Sequence, residues 1–217
     1  MTTTFPPTIE FEDLVGEFRS IAIVGNSPKL LESDHGSLID GHDVVVRIND
    51  GRTDKYERQA GSKTTVRFVG IPIKDRYRAF FAALKEDSTI VTRTANAPIL
   101  AELGWTGETK YIDDYGWIMR HAFRRLTKLI PLDNIPQKNP RTGILILSML
   151  VNAMLSGKTI SLFGFEIAER KGGAEHFYND GRKFDETLHN WNDFHCPMTY
   201  EFDAILKLVE RSLIKVN

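Results

Sequence analysis

Residues 22–30 read AIVGNSPKL: a short apolar, β-branched run that stops on Gly25, Asn26 and Ser27. The run is too short for a helix and ends in turn-forming residues, which predicts a buried strand entering a tight turn. The same form recurs as IAIVG (21–25), DVVVRI (43–48), TTVRFVG (64–70), STIVTR (88–93), TKYID (109–113) and TISLFGF (159–165). Between and after these runs, apolar residues fall at helical spacing over Ile9–Arg19, Asp75–Lys85, Tyr115–Leu129, Thr142–Leu155 and Met198–Leu213. Strand–helix alternation predicts an α/β fold, a mostly parallel central sheet flanked by helices.

Outside these elements the chain bounds its own function. Its 217 residues suit one domain over 1–217, with a helical N-terminal segment at 1–20. The polar stretch around 166–190 is long for a connection, and is expected to be a flexible active-site loop. With 28 Lys+Arg against 29 Asp+Glu, the net charge of −1 gives no electrostatic footprint for nucleic acid. Arg120, Arg124, Arg125 and Lys128 read as a solvated helix face. The single cysteine, Cys196, cannot form an internal disulfide and suits a reducing compartment. MTTTFPPTIEFEDL at the start is neither a signal peptide nor an anchor. GILILSMLVNAML (143–155) is too short to span a bilayer. A soluble, cytoplasmic protein is expected, meeting any membrane-linked material peripherally.

Several stretches carry chemistry, each with a plain structural reading beside it. In an open α/β sheet, ligands sit beyond the carboxyl ends of the strands. Gly25 permits a sharp turn and close backbone approach, while Asn26 and Ser27 offer side-chain hydrogen bonds. Asn49 ends the second strand in the same way, although Asn-Asp-Gly is also a strong turn sequence. Thr142 and Gly143 open a helix whose N-terminus can receive a phosphate, or simply carry a cap. Gly164 interrupts a strand end. His176, His189 and His195 lie among acids and aromatics; histidine suits general-base work, but is more often a structural residue. Their spacings match no common metal site, and Cys196 as a nucleophile lacks a supporting arrangement. His35, His42 and His121 read as structural or surface, and Asp113–Asp114 as a cap for the helix near Tyr115.

In order and spacing, these stretches resemble the eukaryotic-type sialyltransferases, glycosyltransferase family 29. IAIVGNSPKLLESDHGSLIDGHDVVVRIND (21–50) looks like the family's long sialylmotif, and AGSKTTVRFVG (60–70) like its continuation. NPRTGILILSMLVNAMLSGKTISLFGFE (139–166) resembles the short motif, HFYND (176–180) the third motif and HCPMTYE (195–201) the very short motif. The resemblance implies a Rossmann-like variant of the GT-A fold and a CMP-activated sugar donor. It also implies inversion at the anomeric carbon without a metal or other cofactor.

Carried over by position, it implies that Asn26 and Asn49 contact the CMP phosphate and ribose. Thr142, Gly143 and Gly164 would hold the nucleotide. His176 would donate to the leaving phosphate, His195 would be the general base and Glu201 would support the site. The chain departs from the family at Ile21 and Gly157, where the family has a disulfide pair, which agrees with a cytoplasmic form lacking the Golgi members' stem and anchor. It departs again at Asn139 and Arg141, in place of an aromatic residue and Ser, and Arg141 offers a phosphate contact of its own. Cys196 is one extra residue between His195 and Glu201.

The expected activity is transfer of sialic acid, or a related ulosonic acid such as Kdo, from a CMP-sugar donor to a hydroxyl of a glycan or glycolipid acceptor. Two alternatives stand beside it. GNSPKL also resembles the turn of some nucleotide-dependent pyrophosphokinases, which would require ATP and Mg²⁺. A noncatalytic nucleotide- or glycan-binding module is the other, supported by the inserted Cys196.

Overall fold

A computed structural model of the chain describes residues 10–84, 88–113, 115–130 (115–120 as backbone), 132, 138–168, 173, 176–178, 183 and 195–217. The strands are β1 (Ser20–Val24), β2 (Val44–Ile48), β3 (Val66–Val69), β4 (Thr89–Arg93), β5 (Thr109–Ile112), β6 (Thr159–Phe163) and β7 (Lys215–Val216). They form one sheet in the order β5-β4-β3-β2-β1-β6-β7, and every neighbouring pair is parallel. All six strands expected from the sequence are present. β7 is two residues long, too short to leave a periodic signal.

The helices are α1 (Phe11–Val15), α2 (Gly36–Asp40), α3 (Glu57–Ala60), α4 (Asp75–Ala83), α5 (Ala97–Glu102), α6 (Tyr115–Leu129), α7 (Thr142–Met149), α8 (Val151–Leu155) and α9 (Met198–Glu210). The helix expected over Thr142–Leu155 is two, because Leu150 leaves helical geometry at φ −98°, ψ 11°. Helix α1 covers only part of Ile9–Arg19, ending where Gly16 takes φ +79°. Helices α2, α3 and α5 have four to six residues each and gave no pattern to read.

The central strands β1, β2, β3 and β6 are buried and largely apolar because both faces are covered, whereas the edge strands β5 and β7 are half exposed. Ile21 and Ile23 of β1 face a layer holding Phe123 and Leu126 of α6, Leu145 of α7 and Ile205 of α9. Ala22 and Val24 face the opposite layer with Leu30, Ile39 and Ala60. Helix α7 is buried from Gly143 to Met149, which is why its sequence is apolar on every side. Two charges interrupt this core: Arg47 and Arg67, register partners on β2 and β3, each 1% exposed. Arg47 donates to the carbonyls of Ala60 and Lys63 and to Thr64 Oγ1. Arg67 donates to the carbonyls of Asn49 and Gly51. Each guanidinium therefore ties down a loop rather than sitting unsatisfied.

The strand order reverses at β1. The chain steps from β1 out to β5, then returns to place β6 on β1's other side. A crevice at the carboxyl ends of the strands belongs at such a point. Its floor is closed by backbone contact: Gly25 N–H donates to the Phe163 carbonyl at 2.8 Å, and Ser27 N–H to the Gly164 carbonyl at 3.1 Å. A Cβ on Gly25 would stand 2.4 Å from the Gly164 oxygen. Gly25→Ala should cost about 3 kcal/mol through this backbone clash. Gly157→Ala, at φ +77° with open space around it, should cost about 1 kcal/mol. Thermal unfolding of the two variants checks the order; a Gly25→Ala protein as stable as Gly157→Ala would contradict the contact.

Candidate functional site

Four chain segments meet above that floor. Asn26 follows β1 and Asn49 follows β2, so adjacent strands deliver both asparagines to one end of the sheet. Asn26 Nδ2 donates to the Ile48 carbonyl at 3.2 Å, while its Oδ1 is buried without a hydrogen-bond partner. Asn49 adopts φ 54°, a left-handed conformation that asparagine tolerates better than most residues. Its Oδ1 accepts from Gly70 N–H at 3.1 Å. Asn26 Oδ1 thus remains an unmet acceptor, closed in beside Gly51, while Asn49 keeps its Nδ2 donors.

The start of α7 reaches the same place. A Cβ on Gly143 would lie 2.5 Å from the Phe165 ring and 3.7 Å from Ile48 Cδ1. Gly143 is therefore small because Phe165, arriving from β6, packs over the first turn of the helix. Gly164 makes that approach at φ +63°. These glycines have a packing reason within the fold. Ser27 is also engaged: its hydroxyl accepts from Lys29 N–H at 3.2 Å and donates to Glu166, so it caps the turn that follows β1.

His176 is brought in by its neighbours. Phe177 N–H donates to the Asn26 carbonyl at 2.9 Å, and Tyr178 Oη donates to Asp50 Oδ1 at 2.9 Å. Phe177 and Tyr178 are buried with Val24, Leu30 and Phe163. The His176 ring stacks on Tyr178 with centroids 5.1 Å apart and planes 27° from parallel. Motif and strand end are thereby one unit.

His195 arrives on a strap. Asn139 and His195 form a parallel bridge, with Cys196 N–H on the Asn139 carbonyl at 2.9 Å. His195 Nδ1 lies 3.3 Å from the same carbonyl. A proton on Nδ1 shared with that carbonyl leaves the lone pair on Nε2, the form a general base needs. Glu201, in the first turn of α9, pairs with Arg141: its Oε1 accepts from Arg141 N–H at 2.9 Å and from Nη1 at 3.2 Å. Nη1 also donates to the Cys196 carbonyl at 3.0 Å. Arg141 thus joins the α7 start, the His195 strap and α9. Burial raises the Glu201 carboxyl above its ordinary 4.5, although Arg141 pulls the other way. Burial, with Glu201 beside it, pushes the Cys196 thiol up to about 11, so it is not a thiolate nucleophile at neutral pH.

The remaining titratable candidates sort simply. His42 has Nδ1 on the Leu38 carbonyl and Nε2 on Ser161 Oγ, and His35 Nδ1 meets Ser33 Oγ. Both do structural work on the face away from α7. His189 and Asp114 lie outside the described residues, as does most of 166–190. Sequence reasoning missed Asp50, Arg67 and Tyr178 at the crevice. The available signals were an arginine inside the apolar run of β3 and a second aromatic after His176.

Glu201→Ala leaves the Arg141 guanidinium, 21% exposed, without its carboxylate. It should cost about 3 kcal/mol, while Glu201→Gln keeps an acceptor and costs less. Because the folded carboxyl titrates above its unfolded value, the folded state holds that proton more tightly. Wild-type stability relative to Glu201→Gln should be greatest below pH 4.5 and decline as pH rises through the folded pKa. Denaturant melts across pH test the sign; a relative stability that rises with pH would contradict it.

Comparison with known proteins supports the first part of the chain, which holds the long motif and its continuation. Residues 4–100 match the family model for glycosyltransferase family 29 (sialyltransferase). A beta-1,6-galactosyltransferase of Arabidopsis thaliana is 46% identical over 52 residues, covering 24% of this chain and 13% of its own. A beta-galactoside alpha-2,6-sialyltransferase 2 of Takifugu rubripes is 37% identical over 78 residues, 35% of this chain and 14% of its own. A Sus scrofa CMP-N-acetylneuraminate-beta-galactosamide-alpha-2,3-sialyltransferase 1 is 51% identical over 51 residues, 24% of this chain and 15% of its own. The chain therefore spans well under a fifth of these relatives. The crystal structure of a mammalian sialyltransferase superposes with a TM-score of 0.59 at 23% identity, over 92% of this chain and 69% of that one, and shares the fold. Over residues 4–100 the chain is thus similar to glycosyltransferase family 29, and its sheet shares the fold of a mammalian sialyltransferase.

Proposed function

We propose that this protein is an inverting, metal-independent transferase that moves an ulosonic acid, such as sialic acid or Kdo, from a CMP-linked donor to a hydroxyl of a glycan or glycolipid. One observation carries the reading. The α7 N-terminus, Asn26, Asn49 and the His176 segment converge at the carboxyl ends of β1, β2 and β6, where a nucleotide belongs in such a sheet. The reading takes the protein as cytoplasmic and as meeting its acceptor peripherally. No described helix is long and apolar enough to cross a membrane.

The chemistry follows from the residue types. The unpartnered Asn26 Oδ1 suits a ribose hydroxyl, which can donate, rather than a phosphate oxygen, which cannot. The Asn49 Nδ2 donors and the first turn of α7 suit the phosphate. In transfer, the acceptor hydroxyl attacks the anomeric carbon as the bond from that carbon to the CMP phosphate oxygen breaks. The hydroxyl's proton goes to His195 Nε2. Charge gathering on the departing phosphate is met by His176 and the helix start. Arg141, in this reading, acts by holding the His195 strap, since its Nη1 is bonded to Cys196 and Glu201.

His195→Ala should lower kcat about 100- to 10,000-fold, the range for loss of a general base, and leave CMP affinity unchanged. Steady-state CMP release in the presence of acceptor measures this. Near-normal turnover in the alanine variant would remove His195 from the role.

A further inference from the structure

The loop after β2 holds a cation that the nucleotide contacts do not use. Arg52 is partly buried, three residues beyond Asn49. Its guanidinium carbon lies 5.5 Å from the Phe80 ring centroid and 5.6 Å from that of Tyr178. Its Nε is buried without a hydrogen-bond partner. Among the described residues the guanidinium makes no ion pair or hydrogen bond. Arg67 provides the contrast: it lies 5.0 Å from the same Phe80 ring, but its Nη1 is committed to the Asn49 and Gly51 carbonyls.

An aromatic ring favours the face of a guanidinium. It does nothing for the in-plane N–H edge, and withdrawing that edge from water without an acceptor is costly. The group that satisfies such an edge best is a planar anion accepting two parallel hydrogen bonds, a carboxylate. Position adds to chemistry. Arg52 rests on Tyr178, and His176 stacks on the same ring. The unmet cation therefore lies one ring away from the residue assigned to the leaving phosphate.

We propose that Arg52 binds the carboxylate of the donor's ulosonic acid, and so selects that donor class over neutral sugars. This rests on the CMP-sugar reading above. A neutral hexose attached to a nucleotide has no carboxylate for the fork to hold, so the residue discriminates by leaving its own charge unmet with the wrong donor.

Isothermal titration in EDTA, with CMP and with CMP-N-acetylneuraminic acid, tests the assignment on wild type, Arg52→Gln and Arg52→Lys. Arg52→Gln should weaken the CMP-sugar about 10- to 100-fold, the worth of a charge-assisted pair, and leave CMP binding unchanged. Unchanged CMP binding also reports an intact fold. Arg52→Lys should recover part of the loss, as a point charge without the fork. Equal weakening of both ligands would put Arg52 on the phosphate and overturn the proposal, as would no change in either. A wild-type protein that binds neither ligand would overturn the CMP-sugar reading and this assignment with it. One that binds both without dependence on Arg52 would overturn the assignment alone.

Discussion

The site depends on how closely the ends of β1 and β6 approach. Gly25 and Gly164 touch backbone to backbone, closely enough that a methyl group on Gly25 would meet a carbonyl at 2.4 Å. That contact sets where Phe165 leaves the sheet, and Phe165 in turn fills the space beside Gly143 at the start of α7. The helix N-terminus is thus aimed at the strand ends by a chain of close packing. Dense interiors transmit position in this way, because no slack exists to absorb a shift.

The candidate side chains are held largely through their neighbours. His176 is located by the Phe177 amide on Asn26 and by the Tyr178 hydroxyl on Asp50. His195 is located by the Asn139 bridge and by Arg141, which joins Cys196 to Glu201. The inserted residue Cys196 is accommodated because its N–H, carbonyl and thiol all find partners on the strap, with Sγ donating to the Lys138 carbonyl at 3.3 Å.

Much of this was legible in the sequence. Buried parallel strands are near-continuous apolar runs, and five of the six strands read from the sequence stood out in this way. The half-exposed β5 was marked by its short β-branched and aromatic run, and the long helices α6 and α9 stood out by their period. The strand-end asparagines were recognisable because strand ends in such sheets line the crevice. What could not be read was pairing. Glu201 was placed as a supporting residue, but its partner is Arg141, sixty positions away in the chain. Gly25, Gly143 and Gly164 read as openings for a ligand, whereas their small size also answers to one another and to Phe165. Arg52 carried no motif at all; its unmet guanidinium is visible only once Phe80 and Tyr178 are folded against it. Contacts between residues distant in sequence leave no periodic trace.

The central claim is that the β1–β2–β6 crevice is a cytidine monophosphate site that needs no metal. Thermal unfolding with CMP, UMP, AMP, GMP and ATP, each with and without EDTA, tests it directly. A CMP site requires a selective rise in Tm with CMP that persists in EDTA. Stabilisation by ATP with Mg²⁺ alone, or by none of the nucleotides, would contradict it.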